Sequence, residues 1–265
     1  MPHLTAISPE QFADKAWKHS AGYSFAIRTN ILPVVAAELT HLVPAMPLGF
    51  VQNGDTFQMV AITSLQPNTN VYVPPDGRWL GSYIPSTLRS YPFCLVKLQD
   101  SEKSVLCIDE GSGLLVNAGQ GAAFFDDFGA PTQAVRDVVE FLTHIERSRL
   151  LTQAAVDALH SAGLIQPWPI NVQNGDQTVI GEGLFHINEA TLNALPVEGF
   201  LKLRHTGALS VAYAQLLSMN QLSILENLSR IQAQIKAQAV PQIKALTGLK
   251  GFRMSQEEGT IKFNF

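Results

Sequence analysis

Two guanidinium groups and three aromatic rings crowd one short segment: Arg78, Trp79, Tyr83, Arg89 and Tyr91. Aromatic rings stack on sugar faces and on planar ligands, and a guanidinium fork grips carboxylate or phosphate. A binding pocket uses these residue types. An architectural turn uses them equally well. In that case Trp79 plugs a core, Pro85 and Pro92 fix the path, and the arginines pair with Asp76 or Asp109.

Four acids follow, Asp109, Glu110, Asp126 and Asp127, flanking a glycine-rich stretch. Clustered carboxylates hold Mg²⁺ or Ca²⁺, or supply an acid/base pair. Their spacing matches no EF-hand loop, and solvated loop charges are the plainer alternative. Gly111-Ser112-Gly113 follows a strand-like run, but the third glycine and the lysine of a phosphate loop are missing. Glu140 and His144 share a helix face, as do His186 and Glu189 on a short turn. No H-E-x-x-H or C-x-x-C pattern and no G-x-S-x-G elbow occurs. The expectation is therefore no metal and no cofactor. The ligand-binding candidates are Arg78, Trp79, Tyr83, Arg89, Tyr91, Asp109 and Glu110.

The elements that must position these residues change character along the chain. Ser8-Pro9-Glu10 reads as a helix start, with the helix running to about His19. Residues 21–48 read as irregular, because their prolines forbid a long helix. From Leu48 to Asp109 the texture is β. Phe50-Val51-Gln52 and Phe57–Ile62 flank an Asn53-Gly54-Asp55 turn, and Asn70–Val73 reads as a further strand. Tyr91–Lys97 and Ser104–Asp109 read as two strands joined by Gln99–Glu102. A turn centred there puts Cys94 opposite Cys107. That pair is either a redox couple or two small buried hydrophobes, and a reducing compartment favours the second.

Helices take over at Pro131. Val135, Val138, Val139, Leu142 and Ile145 form an amphipathic stripe that continues through Leu150–His160 to a stop at Gly163. A small hairpin unit follows, Trp168–Val172 against Thr178–Ile180 across Asn174-Gly175-Asp176. Asn188 caps a short helix, and another helix runs from Val197 to His205. A long helix starts near Leu209. Along it Leu217, Gln221, Ile224, Leu228, Ile231 and Ile235 step by fours and threes. This stripe docks on the core, or forms a homodimer seam through Leu217, Ile224, Leu228, Ile231 and Ile235. The tail Gly259–Phe265 alternates polar and apolar residues and reads as a terminal strand.

Composition narrows the function classes. With 18 Lys+Arg against 22 Asp+Glu, the net charge is -4, so no basic face supports a nucleic-acid partner. The N-terminus lacks the basic and apolar regions of a secretory signal. The best apolar stretch, Ile31 to Val51, is interrupted by Pro33, Glu38, His41, Pro44 and Pro47, and fails the test of about 20 apolar residues for a membrane span. The expected location is the cytoplasm. The expected architecture is α+β, one compact domain over residues 1–265. Its β-rich sub-region extends to about residue 130, and a mainly helical one follows.

The densest run, Asp76-Gly77-Arg78-Trp79-Leu80-Gly81-Ser82-Tyr83-Ile84-Pro85-Ser86-Thr87-Leu88-Arg89-Ser90-Tyr91-Pro92-Phe93, resembles the signature of the SapC family. Cys107-Ile108-Asp109-Glu110 fits the same family. So do Gly183–Glu189, Asn193–Pro196 and Tyr213–Ser218. Asn188 stands where the family pattern has an acid. The resemblance implies a part in nutrient uptake, with sugars as one candidate nutrient. Family members similar to this chain tend to be encoded beside TonB-dependent receptors, cupin-like proteins and flavin-dependent halogenase-like proteins. It supplies no catalytic residues. The leading expectation is a non-catalytic binding or accessory protein with partners in an uptake system. One rival is an enzyme acting on a peptide or sugar, with Asp109 and Glu110 as acid and base and Arg78 and Arg89 orienting substrate. The other is a dimeric scaffold built on the last long helix.

Overall fold

The structure, a computed structural model, describes residues 3–98, 103–174, 177–181 and 183–247. Strand β1 (Leu4–Ala6) leads into the one-turn helix α1 (Pro9–Phe12), with Ser8 at its N-cap and Pro9 at its first position. The helix does not continue to His19. Lys15–Trp17 instead form β2, on which Ala16 and Trp17 are fully buried. Burial of an indole in a paired strand outweighs the weak helical preference of a few residues.

Strand β3 (Ile31–Pro33), helix α2 (Leu39–Leu42), β4 (Leu48–Asn53) and β5 (Thr56–Ile62) come next. β4 and β5 make the expected hairpin, with Asn53 opposite Thr56 and Gly54 at φ +60° as the first loop residue. Asn70–Val73 is not a strand. The Asn70 side chain accepts the Tyr72 N–H and donates to the Ala26 carbonyl, which closes a local turn in place of a ladder. Helix α3 (Ser86–Arg89) precedes β6 (Phe93–Lys97) and β7 (Ser104–Asp109), and β7 also pairs with β1. Cys94 lies opposite Cys107, and both are free thiols. The Asp109 N–H bonds the Pro92 carbonyl and the Leu98 N–H that of Lys103. Strict alternation along the ladder then makes Cys94/Cys107 a hydrogen-bonded pair, the wider kind, with Cα atoms about 5.5 Å apart. The expected turn at Gln99–Glu102 lies outside the described residues. The glycine-rich stretch carries two short strands, β8 (Leu115–Asn117) and β9 (Ala122–Ala123), which both pair with β2.

Helix α4 (Gln133–Ser161) begins where the Thr132 hydroxyl accepts the Val135 N–H and ends at Gly163, φ +68°. Four strands follow: β10 (Ile165–Pro167), β11 (Ile170–Asn174), β12 (Gln177–Gly181) and β13 (Leu184–Ile187). β11 and β12 form the second expected hairpin; its turn residues Gly175 and Asp176 lie outside the described residues. β10 and β13 have no counterpart in the sequence reading. They complete a five-stranded antiparallel sheet ordered β10-β13-β4-β5-β3, so both halves of the chain share one sheet.

Helices α5 (Glu189–Asn193), α6 (Val197–His205), α7 (Ala208–Ser218) and α8 (Leu222–Thr247) close the described chain. Asn188 caps α5 by accepting the Thr191 N–H. The helix expected from Leu209 onward is divided by a 3-10 turn at Met219–Gln221. Leu225, Leu228 and Gln232 of α8 face the chain's own core, while Leu217 and Ile231 face solvent at 61% and 42% exposure. Leu228 is thus taken up by internal docking. The tail Gly259–Phe265 lies outside the described residues. Among the described residues no helix is long and apolar enough to cross a membrane.

Among the described residues three hydrophobic clusters result, the smallest of them Ala26, Leu32 and Leu88 with Phe25 and Trp79 packed on it, and two larger ones. Of those two, the larger gathers Leu48, Phe50 and Met59 of the main sheet with residues from α7 and α8; the smaller packs Phe12, Trp17, Phe93 and Phe124. Helix α4 walls both, with Val135 and Leu142 in the smaller and Ala155, Val156 and Leu159 in the larger. The α7 side also enters the sheet. Register places Ile187 opposite Leu48, but the buried Gln215 amide stands between them. It accepts the Ile187 N–H at 2.9 Å and donates to the Leu48 carbonyl at 3.2 Å. Ser218 takes the Leu48 N–H at 3.0 Å. Side chains thereby satisfy backbone groups that a strand pair would otherwise satisfy.

Candidate ligand-binding site

The signature segment folds around a carboxylate that the sequence reading passed over. Glu38, just ahead of α2, is 2% exposed. Its Oε1 accepts the Tyr83 hydroxyl at 2.8 Å and the Ser86 N–H at 2.6 Å, and its Oε2 accepts the Ser86 hydroxyl at 2.7 Å. Arg89 supplies the countercharge at 3.5 Å. A buried carboxylate persists only when charge and hydrogen bonds are both matched, and here they are. With both oxygens engaged, Glu38 anchors the segment.

Arg89 is tied down in turn. It donates to the Tyr83 hydroxyl at 2.9 Å and the Ile84 carbonyl at 3.0 Å, and lies over the rings of Tyr83 and Phe141. His41 stacks on the same Tyr83 ring at 5.1 Å. Burial first, then the hydrogen bond to Glu38, pushes the Tyr83 phenol up to about 12. Trp79 stacks on the buried Tyr72 ring at 5.0 Å, and its indole N–H donates to the Tyr83 carbonyl at 2.9 Å. Trp79, Tyr83 and Arg89 are therefore brought together as one hydrogen-bonded scaffold over the buried Glu38 and Tyr72, with Arg89 on its outer side.

The other candidates stand apart from that hub. Arg78 is largely exposed and pairs with Asp76 at 3.1 Å. Asp109 accepts N–H groups from His3 and Gly111, capping the turn after β7. Glu110 faces the His3 imidazole at 3.2 Å. Both acids are bound to neighbouring backbone or side chain, and neither meets Arg89 among the described contacts.

Tyr91 leads to the concave surface. Its ring stacks on Phe25 at 3.8 Å between centroids, and Ser112 lines the same surface. Burial and then the Asp109 charge push this phenol up. Around the pair opens a cleft of about 320 Å³. One wall is the loop carrying Ser20, Gly22, Ser24 and Phe25. The opposite side brings Asp76 and Tyr91, from the two ends of the signature segment, and Ser112 from the glycine-rich turn.

Two glycines make the wall possible. Gly77, at φ +80°, sends its carbonyl to the Tyr23 N–H at 2.6 Å. A Cβ on Gly22 would stand 2.8 Å from the Gly77 carbonyl oxygen, and one on Gly77 would collide with the Ser24 hydroxyl.

Sequence reasoning missed Glu38, Phe25 and the serines of the 20–25 loop. Glu38 had a usable signal, a lone acid inside an apolar run. The loop had none, since short irregular segments carry no periodicity. Among the described residues, no group of three or more His, Cys, Asp or Glu side chains is placed to hold a metal ion.

A family model, SapC, matches residues 7–225 of the chain. No curated protein and no solved structure matches it.

Proposed function

The chain belongs to the SapC family, and from that premise we propose that it is a cytoplasmic, non-catalytic binding protein serving partners of a TonB-dependent nutrient-uptake system. The observation that carries the binding role is the cleft between Phe25, Tyr91 and Asp76. It gathers both ends of the signature segment and the glycine-rich turn at one concave surface. Ligand sites are concave, with a few polar groups placed among apolar ones. A binding role rather than chemistry is supported by how the ionisable groups are engaged. Glu38, Arg89 and Asp109 each hold backbone or neighbouring side chains. The uptake link rests on the family resemblance.

Native mass spectrometry of the gently purified full chain tests the reading. A small-molecule adduct retained by the wild type and lost in Tyr91→Ala is expected. Turnover of that molecule by the purified protein would sink the non-catalytic part.

A second reading follows from the outward Leu217 and Ile231. With the half-buried Ile224 and Ile235, they offer a homodimer seam along α7 and α8. Sedimentation decides it: an Ile231→Glu change that leaves the mass in solution untouched removes this seam.

A further inference from the structure

We propose that the cleft takes a neutral, polyhydroxylated, ring-sized ligand and discriminates against acidic ones; the proposal rests on reading the cleft as the binding site. Charge is the first argument. Among the described residues the carboxylate lining the cleft is Asp76, which Arg78 matches at 3.1 Å, and Asp109 lies within electrostatic reach of Tyr91. An anionic ligand would meet the Asp76 carboxylate, with the Asp109 charge behind Tyr91, while the nearby guanidinium is already paired. A cationic ligand would have to compete with Arg78 for Asp76. Neither sign of charge is invited.

What remains is hydroxyl chemistry. Ser20, Ser24, Ser112 and Tyr91 line the cleft; a hydroxyl accepts hydrogen bonds and, where its proton is not already used, donates one. Ser20 donates its proton to the Gly22 carbonyl and accepts the Gly22 N–H, so it is oriented and offers a ligand an acceptor; Ser112 is oriented by accepting the Leu114 N–H. A ligand whose groups are themselves hydroxyls matches such a surface without leaving a charge unpaired. The Phe25–Tyr91 stack adds a flat apolar platform for the C–H face of a saturated ring. The volume of about 320 Å³ sits at the low end of the roughly 300–1,000 Å³ typical of ligand sites.

The test is saturation-transfer NMR and calorimetry on the full chain. The probes are methyl glucopyranoside, maltose, glucuronate, glucose 6-phosphate and glucosamine. Ala21→Trp, at an exposed position on the cleft wall, fills the space without touching the core. Tyr91→Ala removes the platform. The neutral probes are expected to bind, with at least about tenfold loss in either variant and at least about tenfold weaker binding of the two acidic probes. Acidic or cationic probes binding as tightly as neutral ones, yet still blocked by Ala21→Trp, would overturn the ligand class and leave the site standing. Binding of every probe unchanged by Ala21→Trp, or no binding of any probe, would overturn the ligand class and the site together.

Discussion

Glu38 and Ser86 are joined twice, through the Ser86 backbone N–H at 2.6 Å and its hydroxyl at 2.7 Å. The carboxylate thus fixes the start of α3 and, through Tyr83, the middle of the signature segment. Glu38→Ala would leave two buried donors of Ser86 and the half-buried Tyr83 hydroxyl without an acceptor, and the partly exposed Arg89 without its countercharge. A loss of about 3–5 kcal/mol in unfolding free energy is expected, read from urea melts. A loss below about 1 kcal/mol would show that the hub does not hold the fold.

Gln215→Leu keeps the bulk in the larger core but strands the Ile187 N–H and the Leu48 carbonyl. Each unsatisfied buried group costs about 1–3 kcal/mol. Hydrogen exchange reads the effect locally: the Ile187 amide should exchange far faster in the variant, with Val60, on the β5 side of the sheet, unchanged.

Alkaline pH should destabilise the protein by a definite route. The Tyr83 phenol is raised from 10.0 to about 12 in the folded chain. Below pH about 10 both states hold the proton, and stability is full. Between there and about 12 only the unfolded chain ionises, so stability falls as pH rises. Melting temperatures across this window should decline, and more gently in Tyr83→Phe. The buried phenol of Tyr72 keeps part of the slope.

Thiol chemistry separates the two cysteines. Burial, and for Cys94 also the neighbouring Cys107 and Asp109, pushes both thiols up. Iodoacetamide at pH 8 should label the half-buried Cys94 before the buried Cys107, and both more slowly than free cysteine. Peptide mass mapping over time gives the order. Prompt labelling of Cys107 would contradict it.

Gly77→Ala tests the cleft wall. Its φ of +80° disfavours any side chain, and the added methyl meets the Ser24 hydroxyl. About 1–3 kcal/mol of stability should be lost, with the 20–25 loop shifting in chemical-shift maps while α4 does not.

The pattern-bearing parts of this fold were legible in the sequence: the Asn-Gly hairpins, the Cys94–Cys107 register, the Asn188 cap and the stripe of α4. Periodicity and turn chemistry are local, and local rules found them. Asn70–Val73 failed because one side chain diverted the backbone into a turn. The run toward His19 failed because Trp17 needed a strand's burial. The candidate cleft was half legible. Tyr91 and Asp76 lie in the segment that drew attention, but their partners Phe25 and Ser112 lie far off in the chain. Gln215 sat in a family segment with its role hidden, since Leu48 is 167 residues away.

The long helix α4 has a consequence for anyone who would divide this chain. Its first turns wall one core and its last turns wall the other, so the rod belongs wholly to neither. A cut anywhere between Val135 and Leu159 strips a wall from one side, and a fragment ending before Gln133 lacks one altogether. Separate expression of the two halves should yield insoluble pieces that recover structure only when mixed.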